Sequence, residues 1–134
     1  MKARCLSMLA IIAAASPAAA EAAIYRCEGP ELSLFINIED DKFGWRNISD
    51  LKEPAMAWYD VCNPDRLACD FDGDGGAAYV ANMMLGEAET RFDAKTRILS
   101  DFEDSPDGYF DHKAQCVTAS ADEATKLGRK WVSG

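Results

Sequence analysis

Glu31-Leu32-Ser33-Leu34-Phe35-Ile36-Asn37-Ile38-Glu39 places Leu32, Leu34, Ile36 and Ile38 on one side of an extended chain. Ser33, Asn37 and Glu39 fall on the other side, with Phe35 the exception. A period of two marks a strand with one face on a core, because successive side chains of a pleated backbone point to opposite faces. Turn residues bound the segment: Gly29-Pro30 before it, Asp40-Asp41-Lys42 after it. Phe43-Gly44-Trp45-Arg46 starts a return strand. The alternation sets the class as mainly β, built from hairpins.

The same grammar recurs downstream. Ala55–Cys62 is aromatic enough for a strand, with Met56, Trp58 and Asp60 on one face. Residues 77–85 (AAYVANMML) are apolar on every face. Their Ala, Met and Leu content favours a helix, whereas the Gly-rich turns and short length favour a strand, the reading carried forward. Thr90-Arg91-Phe92, a turn at Asp93-Ala94-Lys95-Thr96, and Ile98–Phe102 form a further hairpin. Ser105-Pro106-Asp107-Gly108 is turn chemistry again, leading to a last strand, Tyr109–Val117. Asp122 is the expected cap of a short helix reaching Lys130. The expected architecture is a small antiparallel sheet or barrel with a short C-terminal helix.

Residues 1–20 read as a signal peptide. Lys2 and Arg4 precede a small-residue apolar run, and Ala18-Ala19-Ala20 supplies an A-x-A site, with Ala20-Glu21-Ala22 the second choice. The run is too short to span a bilayer, which takes about 20 apolar residues. Residues 21–134 are then one exported domain, periplasmic or secreted, with no membrane span. The formal net charge of the whole chain is −9, and loss of Lys2 and Arg4 makes it two units more negative. Such a surface excludes nucleic acid as a partner, since phosphate contacts need Lys and Arg, and favours a cationic protein.

Four cysteines follow the signal: Cys27, Cys62, Cys69 and Cys116. In an exported domain an even count reads as disulfides, and four cysteines allow three pairings. The favoured pairing is a local clip, Cys62–Cys69, with Cys27–Cys116 tying the first strand to the last. Six residues between Cys62 and Cys69 match neither zinc nor thioredoxin-type C-x-x-C spacing.

The richest stretch for chemistry is Cys62–Gly76, CNPDRLACDFDGDGG. Asp70, Asp72 and Asp74 with Gly75 match the opening D-x-D-x-D-G of a calcium loop, in which alternate carboxylates converge on a hard cation and glycine allows the bend. The twelfth position, which carries a bidentate glutamate in an EF-hand, is Ala81, with Asn82 the nearest substitute. Calcium is therefore the one candidate cofactor, held with an affinity of about 10⁻⁴–10⁻³ M. Alternatively, the stretch is a solvated acidic hairpin turn, since Asp and Gly are turn residues in any case. His112 is the only histidine, and no G-x-S-x-G elbow, H-E-x-x-H helix or phosphate loop accompanies it. No catalytic residue is assigned, and the expected function is a non-enzymatic binding or structural module.

Tyr25-Arg26-Cys27-Glu28-Gly29, a β-rich body and a late cysteine resemble the small periplasmic inhibitors of c-type lysozyme. Those are exported eight-stranded barrels with a Y-x-C-x-G opening and a functional S-G-x-x-Y loop. Gly75-Gly76-Ala77-Ala78-Tyr79 is similar to that loop at Gly76 and Tyr79, with Gly75 where the family has serine. The family's second, lysine-containing motif has no counterpart. The resemblance implies a contact loop at Gly76 and Tyr79 beside the aspartates, and a cationic enzyme as partner.

Overall fold

In the computed structural model the described residues are 23–49, 57–63 and 66–132. Residues 1–20, expected to be a signal peptide, and the segment around Met56 lie outside them. Nine of the strands are β1 (Ala23–Glu28), β2 (Ser33–Glu39), β3 (Lys42–Asn47), β4 (Trp58–Tyr59), β5 (Cys69–Phe71), β6 (Ala77–Met83), β7 (Gly86–Asp93), β8 (Ile98–Ser105) and β9 (Gly108–Thr118). Helix α1 (Ala121–Leu127) and β10 (Trp131–Val132) follow. Residues 77–83 are a strand, as read from the bounding glycines.

Eight strands form one antiparallel sheet in the order β3-β2-β1-β9-β8-β7-β6-β5, curled into a half-barrel. Two meanders, β1–β3 and β5–β9, meet along the β1–β9 ladder, where Cys27 stands opposite Cys116. Both favoured disulfides are present, Cys27–Cys116 and Cys62–Cys69. They fit an oxidising compartment. Among the described residues no helix is long and apolar enough to cross a membrane.

The concave face carries the larger core: Ile36, Ile38, Phe43, Phe92, Leu99 and Ala114 pack with the half-cystines. The alternation of β2 thus reports its inner face correctly. Its other face differs from expectation. Phe35 and Asn37 are both fully buried, because β4, β10 and α1 form a second layer over the convex side. Ile24, Phe35, Trp58 and Leu127 make a small core there. The layers touch so closely at Gly44 that an added Cβ would lie 2.6 Å from the Tyr59 carbonyl oxygen.

The helix begins two residues earlier than expected. Ser120, not Asp122, is the N-cap; its hydroxyl accepts from the Glu123 N–H, and Glu123 accepts from the Ser120 N–H. This is a capping box, legible as S-x-x-E. Gly128 ends the helix at φ 75°, well before Lys130. The Trp58 indole N–H donates to the Gly128 carbonyl and Arg46 to the Leu127 carbonyl, so the outer layer satisfies the helix's C-terminal acceptors. Arg26 reaches Glu123 at 2.6 Å and ties α1 to β1.

The half-barrel leaves two edges, β3 and β5, and residues 60–62 bridge them. Val61 N–H donates to the Phe43 carbonyl, and Cys62 is bonded to Cys69 at the start of β5. Asp60, 4% exposed, accepts through one carboxylate oxygen from the Phe43 N–H (3.2 Å) and the Cys62 N–H (3.0 Å). Its other oxygen meets Arg66 at 3.1 Å. Arg66 also donates to the Asp41 carbonyl.

Two predictions follow from these contacts. Asp60→Ala orphans two buried N–H groups, each costing about 1–3 kcal/mol, so thermal or urea unfolding should show a loss of about 2–6 kcal/mol. Asp60→Asn keeps one acceptor and should lose clearly less; equal losses would contradict the assigned role. Glu123 is held below its ordinary pKa of 4.5, first by the Ser120 N–H and then by Arg26. A depressed folded pKa means that its contribution is complete above 4.5 and disappears as pH falls through the folded value. The stability gap between wild type and Glu123→Ala should therefore be widest near neutrality and narrow in acid.

Candidate functional site

The β5–β6 turn owes its shape to Asp72. Its Oδ1 accepts from the Asp74 N–H (2.9 Å) and the Gly76 N–H (2.8 Å), closing an Asx-type turn. Gly75 follows at φ 93°, and at Gly76 an added Cβ would lie 2.3 Å from the Asp72 carboxylate. The turn residues are therefore glycines for conformation at one position and for space at the next.

Asp70, Asp72, Asp74 and Gly76 line one cleft of about 380 Å³, together with Arg91, Asp93 and Lys95. Much of the charge in it is already engaged. Asp93 accepts from the backbone N–H groups of Lys95 and Thr96, which hold its carboxyl below the ordinary range. Asp74 faces Lys95 at 3.8 Å, and Asp72 is occupied with its own turn. Among the described residues no three His, Cys, Asp or Glu side chains converge as a metal-holding group.

Tyr79 does not join this cleft. It stands opposite Cys69 and Thr90 in the β5–β6–β7 ladders, on the concave face. Its ring lies 6.3 Å from that of Trp45, which is 39% exposed. Asp70 pairs with Ala78, the neighbouring position, and so takes the opposite face. The structure brings the three aspartates together with Gly76 and separates them from Tyr79.

A cross-strand row continues from Tyr79 through Thr90 and Asp101 to His112. Thr90 donates to Asp101 at 3.2 Å, and His112 stacks on Phe110 with ring centroids 4.7 Å apart. Ser100 alternates with Asp101 and therefore points away from His112. Among the described residues no hydrogen bond joins His112 to a hydroxyl or carboxylate. Trp58 packs in the convex core, whereas Trp45 keeps part of its surface exposed on the concave side.

Sequence reasoning passed over the far end of the β6–β9 sheet. Residues 80–90 and 99–112 contain seven carboxylates and no lysine or arginine. Glu89 and Asp111 pair with Arg91 and Lys113 at the base of this region. Glu87, Asp101, Glu103, Asp104 and Asp107 make no ion pair among the described residues. The signal was available as a run of acids across two adjacent hairpins. Its meaning depended on the register that brings the hairpins side by side. Compared with known protein families, characterised proteins and solved structures, the chain finds no significant match.

Asp72 separates the two roles given to the acidic turn. An Asx turn uses one acceptor oxygen, which asparagine retains, whereas a calcium ligand relies on charge. Asp72→Asn should hold the thermal midpoint close to wild type, and Asp72→Ala should lower stability by about 1 kcal/mol, the net worth of a hydrogen bond of this kind. Melts in EDTA and in millimolar calcium complete the comparison. A calcium-induced rise that Asp72→Asn abolishes would make the loop a metal site.

Proposed function

We propose that this protein is an exported, non-enzymatic binding module, delivered by a cleaved signal at residues 1–20, that engages a cationic protein partner. The observation that carries the reading is the far end of the β6–β9 sheet, where Glu87, Asp101, Glu103, Asp104 and Asp107 have no ion-pair partner among the described residues. Like charges gathered at one end of a sheet, Asp101 and Glu103 on its concave face and Glu87 and Asp104 on its outer face, raise the free energy of the isolated protein and are relieved by a complementary partner. The cleft at Asp70–Gly76 is less suited to this task, because Lys95 and backbone N–H groups already answer its charge. Tyr79, on the opposite face from Asp70, is also poorly placed to act with the aspartates as one contact loop.

A c-type lysozyme is the natural first cationic probe, given the likeness at Tyr25–Gly29 and at Gly76 and Tyr79. Calcium binding at Asp70, Asp72 and Asp74 is a second reading, favoured by their position around one cleft with Asp93.

The test is calorimetric titration of the oxidised protein with c-type lysozyme and with a lysine-only peptide, over a range of salt. Affinity should fall as salt rises. Neutralising Glu87, Glu103, Asp104 and Asp107 to their amides should weaken it about tenfold, or about 1.4 kcal/mol. Neutralising Asp70 and Asp74 should change it much less. Absence of binding to both probes, or equal loss from the two variants, would remove the reading.

A further inference from the structure

The apolar surface of the same region poses a separate question. Strands β6 and β7 are joined by two residues, Met84 and Leu85, since Met83 pairs with Gly86. Met84 is 96% exposed and Leu85 75%. Two-residue hairpin turns favour Asn, Asp and Gly, which reach the required conformations cheaply. Met and Leu bring no such advantage, and in this turn they bury almost nothing. Neither folding nor core packing accounts for them.

The neighbouring turn between β8 and β9 lies alongside. Between the two turns runs a groove of about 290 Å³ lined by Met84, Leu85, Gly86, Ser105, Pro106 and Asp107. On the outer face of the same sheet Phe102 and Tyr109 pack edge to face at 5.6 Å, with Tyr109 67% exposed. Glu87, Asp104 and Tyr109 form one cross-strand row beside the groove. The tip is thus apolar at its centre and acidic around it.

We propose that the groove between the β6–β7 and β8–β9 turns, with Met84 and Leu85 as anchors and Glu87, Asp104 and Asp107 around them, docks an apolar patch rimmed by basic side chains on a partner protein. This rests on the cationic-partner reading above and adds to it the apolar half of the recognition. Charge decides among occupants. A second copy would set acid against acid, and an anionic lipid surface would do the same. A patch with basic groups at its rim answers the carboxylates while its apolar centre covers Met84 and Leu85. Buried apolar anchors with a polar rim are the usual anatomy of a protein interface.

The experiment compares two peptides of equal charge on the full oxidised chain: an amphipathic leucine–lysine peptide and a lysine-only peptide, titrated by calorimetry at fixed salt. The amphipathic peptide should bind at least about tenfold more tightly. Met84→Ser with Leu85→Ser should remove that preference, leave binding of the lysine-only peptide unchanged, and leave the thermal midpoint unchanged. If both peptides bind wild type equally, or if the preference survives the double substitution, the docking groove is wrong while the cationic-partner reading stands. If neither peptide binds, both fail together. Self-association of the protein, or tighter binding to phosphatidylglycerol vesicles than to the amphipathic peptide, would also overturn the assignment.

Discussion

The ladder between β1 and β9 is the one pairing in the large sheet that joins distant parts of the chain. Every other neighbour in the order β3-β2-β1-β9-β8-β7-β6-β5 is also a neighbour in sequence. Hairpins form locally, and each closes a short loop at small entropic cost. Bringing β1 to β9 closes a loop of 89 residues. The Cys27–Cys116 disulfide lies directly across that junction, and a crosslink of this span removes about 4–5 kcal/mol of unfolded-chain entropy on the loop-closure account. Without the junction there are two meanders, each with one greasy face and nothing to cover it.

Once the meanders meet, the curl of the sheet creates two further problems, and the segment between β3 and β5 answers both. Its Trp58 enters the convex layer, covering the side of β1–β3 that alternation marks as polar. Its Asp60–Cys62 turn crosses to the concave side and spans the open edges. A buried carboxylate is costly to dehydrate, and Asp60 offsets that with two backbone N–H donors and a guanidinium. The result is a paired β3 edge in place of one left open to strand addition. Asn37, buried beneath the outer layer with no hydrogen-bond partner for its amide among the described residues, shows that this layer is less well satisfied than the seam.

The same topology sorts the acidic residues. Near Asp70–Gly76 carboxylates serve the turns themselves, accepting backbone N–H groups or facing Lys95. Towards the β6–β7 and β8–β9 turns, Glu87, Glu103, Asp104 and Asp107 make no ion pair among the described residues. The protein is therefore acidic in two different ways, one structural and one presented outward. The outward one coincides with the most exposed apolar side chains of the β6–β9 sheet.

Local chemistry was enough for most elements. The alternation of Leu32, Leu34, Ile36 and Ile38 identified β2 and its inner face. Pro, Gly and Asp clusters located the turns, and cysteine count with position gave both disulfides. These are short-range properties, written in periods of two and in backbone preferences at single residues. Ser120-x-x-Glu123 was equally legible as a capping box, although Asp122 drew attention first. What lay beyond the sequence were relations across strands. Asp60 reads only as a neighbour of Met56 and Trp58 on one strand face until β3 is placed beside it, and Asn37 reads as solvent-facing until the second layer covers the convex side. Tyr79 and Asp70 look like one loop in a linear motif but face opposite sides of a sheet, because a shift of one register position reverses a side chain. The sequence by itself determined the strands, the turns and the crosslinks. Tertiary structure alone decided which faces were buried, which carboxylates were spent, and which have no ion-pair partner among the described residues.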